Sequence, residues 1–176
     1  MANNDLSVLV LLSLIMIFSG CTHVISRDLR RNIREKTTIH EVMKDPDIYE
    51  GKMVLWGGKI LMSINRKEGT LIEVLQLPLD SSDRPKDVDT SGGRFLVLYP
   101  GYLDVVIYRQ GREITVAGKI KGIRKLPLGE IKYVYPLLKA EEIHLWKIKP
   151  EKIRVYHEYP PYPYWYPYWW EYLYCW

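Results

Sequence analysis

The sequence predicts a mainly β domain, a small closed or half-closed barrel with one short helix ahead of it. Three observations predict it. Five or six segments rich in β-formers lie between Met53 and Lys147, each bounded by Gly, Pro or polar turns. A Thr-x-x-Glu capping box stands just before the first of them. The two ends of the chain differ in composition from this middle, which leaves the β segments to form the core.

The elements follow in order. Thr38-Ile39-His40-Glu41 reads as a capping box, and its helix runs to about Lys44, stopping before Pro46. Tyr49-Glu50-Gly51-Lys52 reads as a turn. Met53 to Ile64 is the first strand, and Gly57-Gly58 inside it marks a bulge or sharp coil. Thr70 to Leu77 is the second, ending at Pro78, and Arg94 to Tyr99 the third, closed by Pro100-Gly101. Glu113 to Ile120 alternates, setting Ile114, Val116 and Gly118 against Thr115, Ala117 and Lys119. Lys132 to Tyr135 and Ala140 to Lys147 complete the set. This number and spacing fit an OB-like barrel, with a β-sandwich as the alternative. Asp80 to Gly93 is a long polar loop, a length often tied to function or mobility.

The N-terminus reads as an export signal, with an uncleaved membrane anchor, in which Cys21 is an ordinary residue, as the alternative. Leu6 to Phe18 is an apolar run too short to span a bilayer comfortably, and it matches the apolar core of a signal peptide. Ser19-Gly20-Cys21 then forms a lipobox, in which small residues admit the peptidase and the thiol accepts a diacylglycerol. Two details depart from the usual pattern: Phe18 stands where Leu is commonest, and residues 1–7 lack a positive charge. Thr22, rather than Asp, follows the lipidated cysteine and favours sorting to the outer membrane. The expected organisation is a signal peptide over 1–20, a lipidated tether over 21–37, the barrel over 38–150 and a tail over 151–176. The tether is read as a solvated linker rich in Arg.

The tail from Tyr156 holds eight Tyr, four Trp and four Pro in 21 residues, and its prolines exclude a regular helix. Tyr and Trp favour the membrane–water interface. Tyr164, Trp165, Tyr168, Trp169 and Trp170 are therefore candidate contacts with membrane, glycan or a protein partner. The alternative is a tail that folds back over the barrel.

Without residues 1–20 the chain has 25 basic and 20 acidic residues, a net +5 scattered from Arg27 to Arg154. A scattered charge of this size does not indicate nucleic acid. No G-x-S-x-G elbow or Walker A motif appears, so no catalytic residue is assigned. His23, His40, His144 and His157 lack ligand spacing, and an EF-hand-like start at Asp87 has Leu98 where Glu is required, so no metal is expected. The one cofactor-like group expected is the covalent lipid on Cys21. Asp80, Arg84 and Arg94 flank the long loop, where an Asp–Arg pair would fix its ends; ligand contact is the other reading. Trp56 and Trp146 are read as barrel packing, with a stacking platform as the alternative.

The chain resembles the Slp family, the starvation-inducible outer-membrane lipoproteins of Gram-negative bacteria. The resemblance rests on the lipobox and on an ordered series of stretches between Ile39 and Trp146. Asp45-Pro46 and Tyr49-Glu50-Gly51 precede Val54-Leu55-Trp56-Gly57-Gly58-Lys59-Ile60. Glu73-Val74-Leu75, Pro78-Leu79-Asp80 and Arg84-Pro85 lead to Gly93-Arg94-Phe95. Gly101-Tyr102-Leu103-Asp104, Tyr108 and Gly111 to Gly118 follow, then Gly129, Tyr133, Tyr135-Pro136 and Leu145-Trp146. Val105 departs from the family, which usually has proline there. The resemblance implies an outer-membrane lipoprotein facing the periplasm, linked to starvation or envelope stress, and supplies no reaction. The anchor and the aromatic tail favour a non-enzymatic role. The expected partner is membrane lipid, with cell-wall glycan or an envelope protein as further candidates. A periplasmic glycan- or small-ligand-binding module is the alternative.

Overall fold

The structure, a computed structural model, describes residues 24–33 and 36–148. The lipobox, Cys21, His23, His157 and the aromatic tail lie outside these. Three short helices, α1 (Arg27–Asn32), α2 (Ile39–Lys44) and α3 (Pro46–Tyr49), precede five strands. These are β1 (Met53–Arg66), β2 (Gly69–Gln76), β3 (Arg94–Tyr99), β4 (Glu113–Leu128) and β5 (Ile131–Leu145).

The strands form one closed sheet in the order β1-β2-β3-β5-β4. All neighbours run antiparallel except β3 and β5, which are parallel. That is the OB-like order, and a single closed sheet excludes two facing ones, so the sandwich alternative falls. The sheet closes because β1 is long enough to serve two partners. Met53–Lys59 pairs with β4 and Gly58–Arg66 with β2, with a register shift between Ile60 and Met62.

Gly57 and Gly58 sit at this handover, where the backbone must approach its neighbours closely. A Cβ at Gly58 would lie 1.8 Å from the Leu75 carbonyl oxygen, and one at Gly57 would lie 2.8 Å from Leu79. The glycines therefore mark the sharp coil that the sequence suggested, whereas the bulge falls three residues later.

The capping box forms. Thr38 Oγ1 accepts from the Glu41 amide at 3.3 Å, and the Glu41 carboxylate accepts from the Thr38 amide at 2.7 Å. These bonds start α2 so that Ile39 and Val42 face the barrel core with Val54, Trp56, Ile60, Phe95, Val116 and Leu138. Trp56 meets Phe95 edge-on, with ring centroids 5.3 Å apart. Its indole Nε1–H donates to the Thr37 carbonyl at 2.8 Å, which holds the chain entering α2 against the barrel.

Three expectations change. The segments Lys132–Tyr135 and Ala140–Lys147 are one strand, β5, because Pro136 sits opposite Ile123 beside a register shift and does not break the ladder. Pro46–Tyr49 is a helical turn, with Pro at a first-turn position where its missing N–H costs nothing. Arg27–Asn32 is a helix, and the described part of the expected tether is packed on the domain rather than solvated, since Ile25 is only 2% exposed.

Gly58→Ala drives a methyl into the β2 backbone. A loss of about 3 kcal/mol is expected from such overpacking, read as a lower urea midpoint with unchanged slope.

Candidate functional site

β4 turns two faces to different surroundings. Ile114, Val116 and Ile120 point to the core, while Thr115 and Ala117 lie on the outer face yet are fully buried. The β2–β3 loop and the N-terminal segment cover them.

The loop is shaped by Asp80. Its Oδ1 accepts from the Ser82 amide (2.8 Å), the Ser82 hydroxyl (2.7 Å) and the Arg84 amide (2.9 Å). The Ser82 hydroxyl, and next the Arg84 amide, hold the Asp80 carboxyl below its usual range. The turn forces Asp83 into a left-handed conformation (φ 67°), which Asp tolerates better than most residues. Asp83 is only 4% exposed, and its carboxylate receives the Arg30 guanidinium through two hydrogen bonds. The Asp83 carbonyl accepts from Thr115 Oγ1 at 2.6 Å, and Thr115 Oγ1 accepts from Trp146 Nε1 at 2.9 Å. One residue further, Arg84 Nε donates to Glu113 at 2.7 Å, and its guanidinium stacks 5.1 Å over the Trp146 ring. The N-terminal segment over residues 24–33, hereafter the strap, is thus joined to loop and strand by one chain of polar contacts.

The expected Asp–Arg clamp exists but uses other residues. Asp80 and Arg84 come together only through backbone, Asp80 shaping the turn while Arg84 pairs with Glu113. The bidentate pair is Asp83 with Arg30, 53 residues apart in sequence. One hint was visible, an arginine cluster ahead of the domain. Nothing in the sequence assigned Asp83 a partner. Trp56 is a core residue as expected, but Trp146 is half-buried on the outer face of β4, against His144 (centroids 4.5 Å) and Arg84.

Arg94 lies apart from Asp80 and Arg84. It donates to Glu73 at 2.8 Å, a bond that raises its already high pKa. The Tyr135 hydroxyl donates to the same carboxylate at 3.3 Å, and the Arg94 amide donates to the Tyr133 hydroxyl at 3.1 Å. With Leu96, Leu137 and Tyr135 these groups form a small second core outside the barrel.

Of the clefts among the described residues, two border the elements described above. One of about 600 Å³ runs between strap and loop, lined by Arg30, Lys36, Thr38, Leu55, Asp80 and Asp83. The other, about 360 Å³, is lined by Leu98, Leu137, Lys121, Arg124, Lys139 and Glu68. It lies where the β1–β2 turn nears β4 and β5, the region that OB-like folds use for oligomeric ligands. Its apolar floor and three cations suit an anionic ligand. Among the described residues no three His, Cys, Asp or Glu side chains converge on a metal-sized space.

The arrangement defines a class: a closed five-stranded β domain whose N-terminal strap is ion-paired to the β2–β3 loop. The family description "Outer membrane lipoprotein Slp family" matches residues 18–174, and the chain belongs to that family. It is similar to "Outer membrane protein Slp" of Escherichia coli K12, 28% identical over 142 residues that cover 80% of this chain and 74% of that one. It is also similar to "Uncharacterized lipoprotein YeaY" of the same organism, 28% identical over 84% of this chain and 74% of that one. An "Uncharacterized protein" of Haemophilus influenzae is 35% identical over 55% of this chain and 53% of its own. Among solved structures, a small single-stranded DNA-binding protein from Streptomyces coelicolor aligns at 16% identity and a TM-score of 0.34. It covers 54% of this chain and 94% of its own, too loose a likeness to bear on function.

Two outcomes follow from this geometry. Arg30→Ala removes the two hydrogen bonds that the guanidinium gives the buried Asp83 carboxylate. About 2 kcal/mol of stability is expected to go, less than for a fully buried pair because the Arg30 side chain is 36% exposed. Trypsin should then cut at Arg27 and Arg31 faster than in the parent. Burial lowers the His144 pKa below its usual 6.5, against a smaller opposing pull from Glu142. The unfolded ring therefore binds its proton first as pH falls through about 6.5, and the native state loses stability from there down to the folded pKa. Urea midpoints measured between neutral pH and about pH 5 should fall less for His144→Gln than for the parent.

Proposed function

We propose that this protein is a lipid-anchored envelope protein, processed after Gly20 and acylated on Cys21. It acts without catalysis, through contacts with outer-membrane lipid and with cell-wall glycan or an envelope protein, during starvation or envelope stress. Family membership supports the outer-membrane lipoprotein reading. One observation carries the mechanical part of it. Ile25 is buried, and the Ser26 amide donates to Glu142 at 3.0 Å, so the packed domain begins four residues after Cys21. Four extended residues reach at most about 14 Å. A lipid on Cys21 then holds the barrel against the membrane surface facing the periplasm, where a 17-residue solvated linker would let it drift.

In this reading the strap turns an anchor into an orientation. The Arg30–Asp83 pair fixes the strap, and the aromatic tail supplies a second contact through Tyr164, Trp165, Tyr168, Trp169 and Trp170. These lie outside the described residues, and their role rests on the preference of Tyr and Trp for the interface.

The cleft beside Leu98 and Leu137 favours a second reading, a module that binds an anionic glycan or small ligand. Lys121, Arg124 and Lys139 would neutralise the acidic groups while the leucines meet an apolar edge. Titration with a phosphorylated oligosaccharide is expected to shift signals around Leu98, and the triple alanine variant of those cations should abolish the shift. If the variant binds equally well, the cleft is not the site.

Metabolic labelling with a palmitate analogue tests the anchor. Label is expected on the parent in the outer-membrane fraction and to be absent from Cys21→Ala. An unlabelled parent would remove the anchor from the account.

A further inference from the structure

The β3–β4 loop presents apolar side chains to solvent. Tyr102 is 71% exposed, Val106 73% and Ile107 51%. Val105 is 37% exposed, so the consecutive residues Val105, Val106 and Ile107 all present aliphatic side chains to solvent. Ser63 Oγ donates to the Tyr108 carbonyl at 2.6 Å, and the Gly111 amide donates to the Ile60 carbonyl at 2.8 Å, fixing this neighbourhood. Scattered exposed hydrophobics need no explanation, but a contiguous group marks a surface that meets something apolar.

Three consecutive amides of the loop are already paired. The Val106 amide donates to Asp104 Oδ1 at 2.8 Å, and the Ile107 and Tyr108 amides donate to the Asp104 carbonyl at 3.0 and 2.9 Å. An apolar segment can leave water only when its N–H groups are paired, because each unpaired group costs several kcal/mol in hydrocarbon. Asp104 meets that condition for Val106, Ile107 and Tyr108.

The surroundings fit a bilayer. Arg109 stands exposed at the edge of the loop. Arg66 and Lys67, also exposed, turn between β1 and β2 next to Gly101, whose carbonyl accepts from the Thr70 amide at 2.9 Å. These three cations outnumber the two exposed acids beside them, Asp104 and Glu68, and a net positive rim around an apolar tip matches anionic headgroups around acyl chains. Arg112 links the loop to the C-terminal exit, donating to the Ile107 carbonyl at 3.2 Å and the Trp146 carbonyl at 2.8 Å. Past Ile148 the chain has 28 more residues, and their Tyr and Trp side chains also favour the interface.

We infer that the apolar loop Tyr102–Ile107 inserts into the interfacial region of an anionic bilayer, beside the point where the aromatic tail leaves the barrel. This deepens the membrane-surface reading above and rests on it. It requires no lipid on Cys21, so the two can fail separately.

The test uses the full mature chain from residue 21 with Cys21→Ala, which cannot be acylated, and vesicles of phosphatidylethanolamine and phosphatidylglycerol. The chain is expected to float with the vesicles. Val106→Asp combined with Ile107→Asp should cut partitioning at least about tenfold, since two exposed aliphatic side chains no longer gain from burial. Both positions are solvent-facing, so an unchanged urea midpoint is expected and shows the fold intact. A double variant that partitions like the parent overturns the inference, as does a parent that stays in solution or binds an envelope protein and not the lipid. Loss of palmitate label with intact flotation would sink the anchor and leave the loop standing.

Discussion

A closed sheet has an inside and an outside, and five strands fill only the inside by themselves. The constraint on which the rest of this structure depends is the outer face of β4, where Thr115 and Ala117 are as buried as the core. Something must cover them, and the covering pieces must carry their own polar groups out of water. The Asp83–Arg30 pair meets that demand. It neutralises a buried carboxylate, fixes the loop whose carbonyl receives the Thr115 hydroxyl, and joins the first described residues of the chain to the barrel. A pair of this kind contributes modestly to net stability, because desolvation offsets attraction. It contributes more to geometry, since a bidentate guanidinium–carboxylate contact permits few arrangements.

That geometry matters for a protein of a lipoprotein family. A long flexible tether lets a domain explore the space above a membrane, whereas a docked strap presents a defined side to it. The strap, the exposed β3–β4 loop and the exit of the aromatic tail are linked through β4 and β5. The strap bonds to Glu142, and Arg112 bridges the loop to Trp146. The barrel is the frame that keeps these elements in register.

Much of the fold was legible in the sequence, because the signals were local. The Thr38–Glu41 capping box, the β-rich run before Pro78, the third strand ending at Pro100 and the alternation after Glu113 each depend on neighbours within a few residues. The failures share a different cause. Lys132–Tyr135 and Ala140–Lys147 read as separate segments, but the proline between them is tolerated beside a register irregularity, and Ile123 stands opposite it in the ladder. The segment before Thr38 looked like a linker because its arginines are polar and its helix is short; only the distant Asp83 shows why it docks. Asp80, Arg84 and Arg94 flank the loop, but the Asp–Arg pair that fixes it is Asp83 with Arg30, while Arg84 and Arg94 pair with Glu113 and Glu73. The alternation of β4 was visible, yet the burial of its second face was not, because the covering loop lies some thirty residues away. Pairings set by tertiary approach leave little trace in a single sequence.

The central claim is that the segment from Ile25 to Ile33 is part of the folded domain. Hydrogen exchange of the mature chain, followed by mass spectrometry, tests it most directly. The Arg30 and Ile33 amides donate to the Ser26 and Arg30 carbonyls, and a docked strap keeps those bonds closed. Exchange in this stretch is predicted to be slow, approaching that of the barrel strands, and to quicken sharply in Arg30→Ala. Exchange at the rate of an unstructured peptide in the parent would contradict the account, leaving the barrel intact but its anchor a free tether.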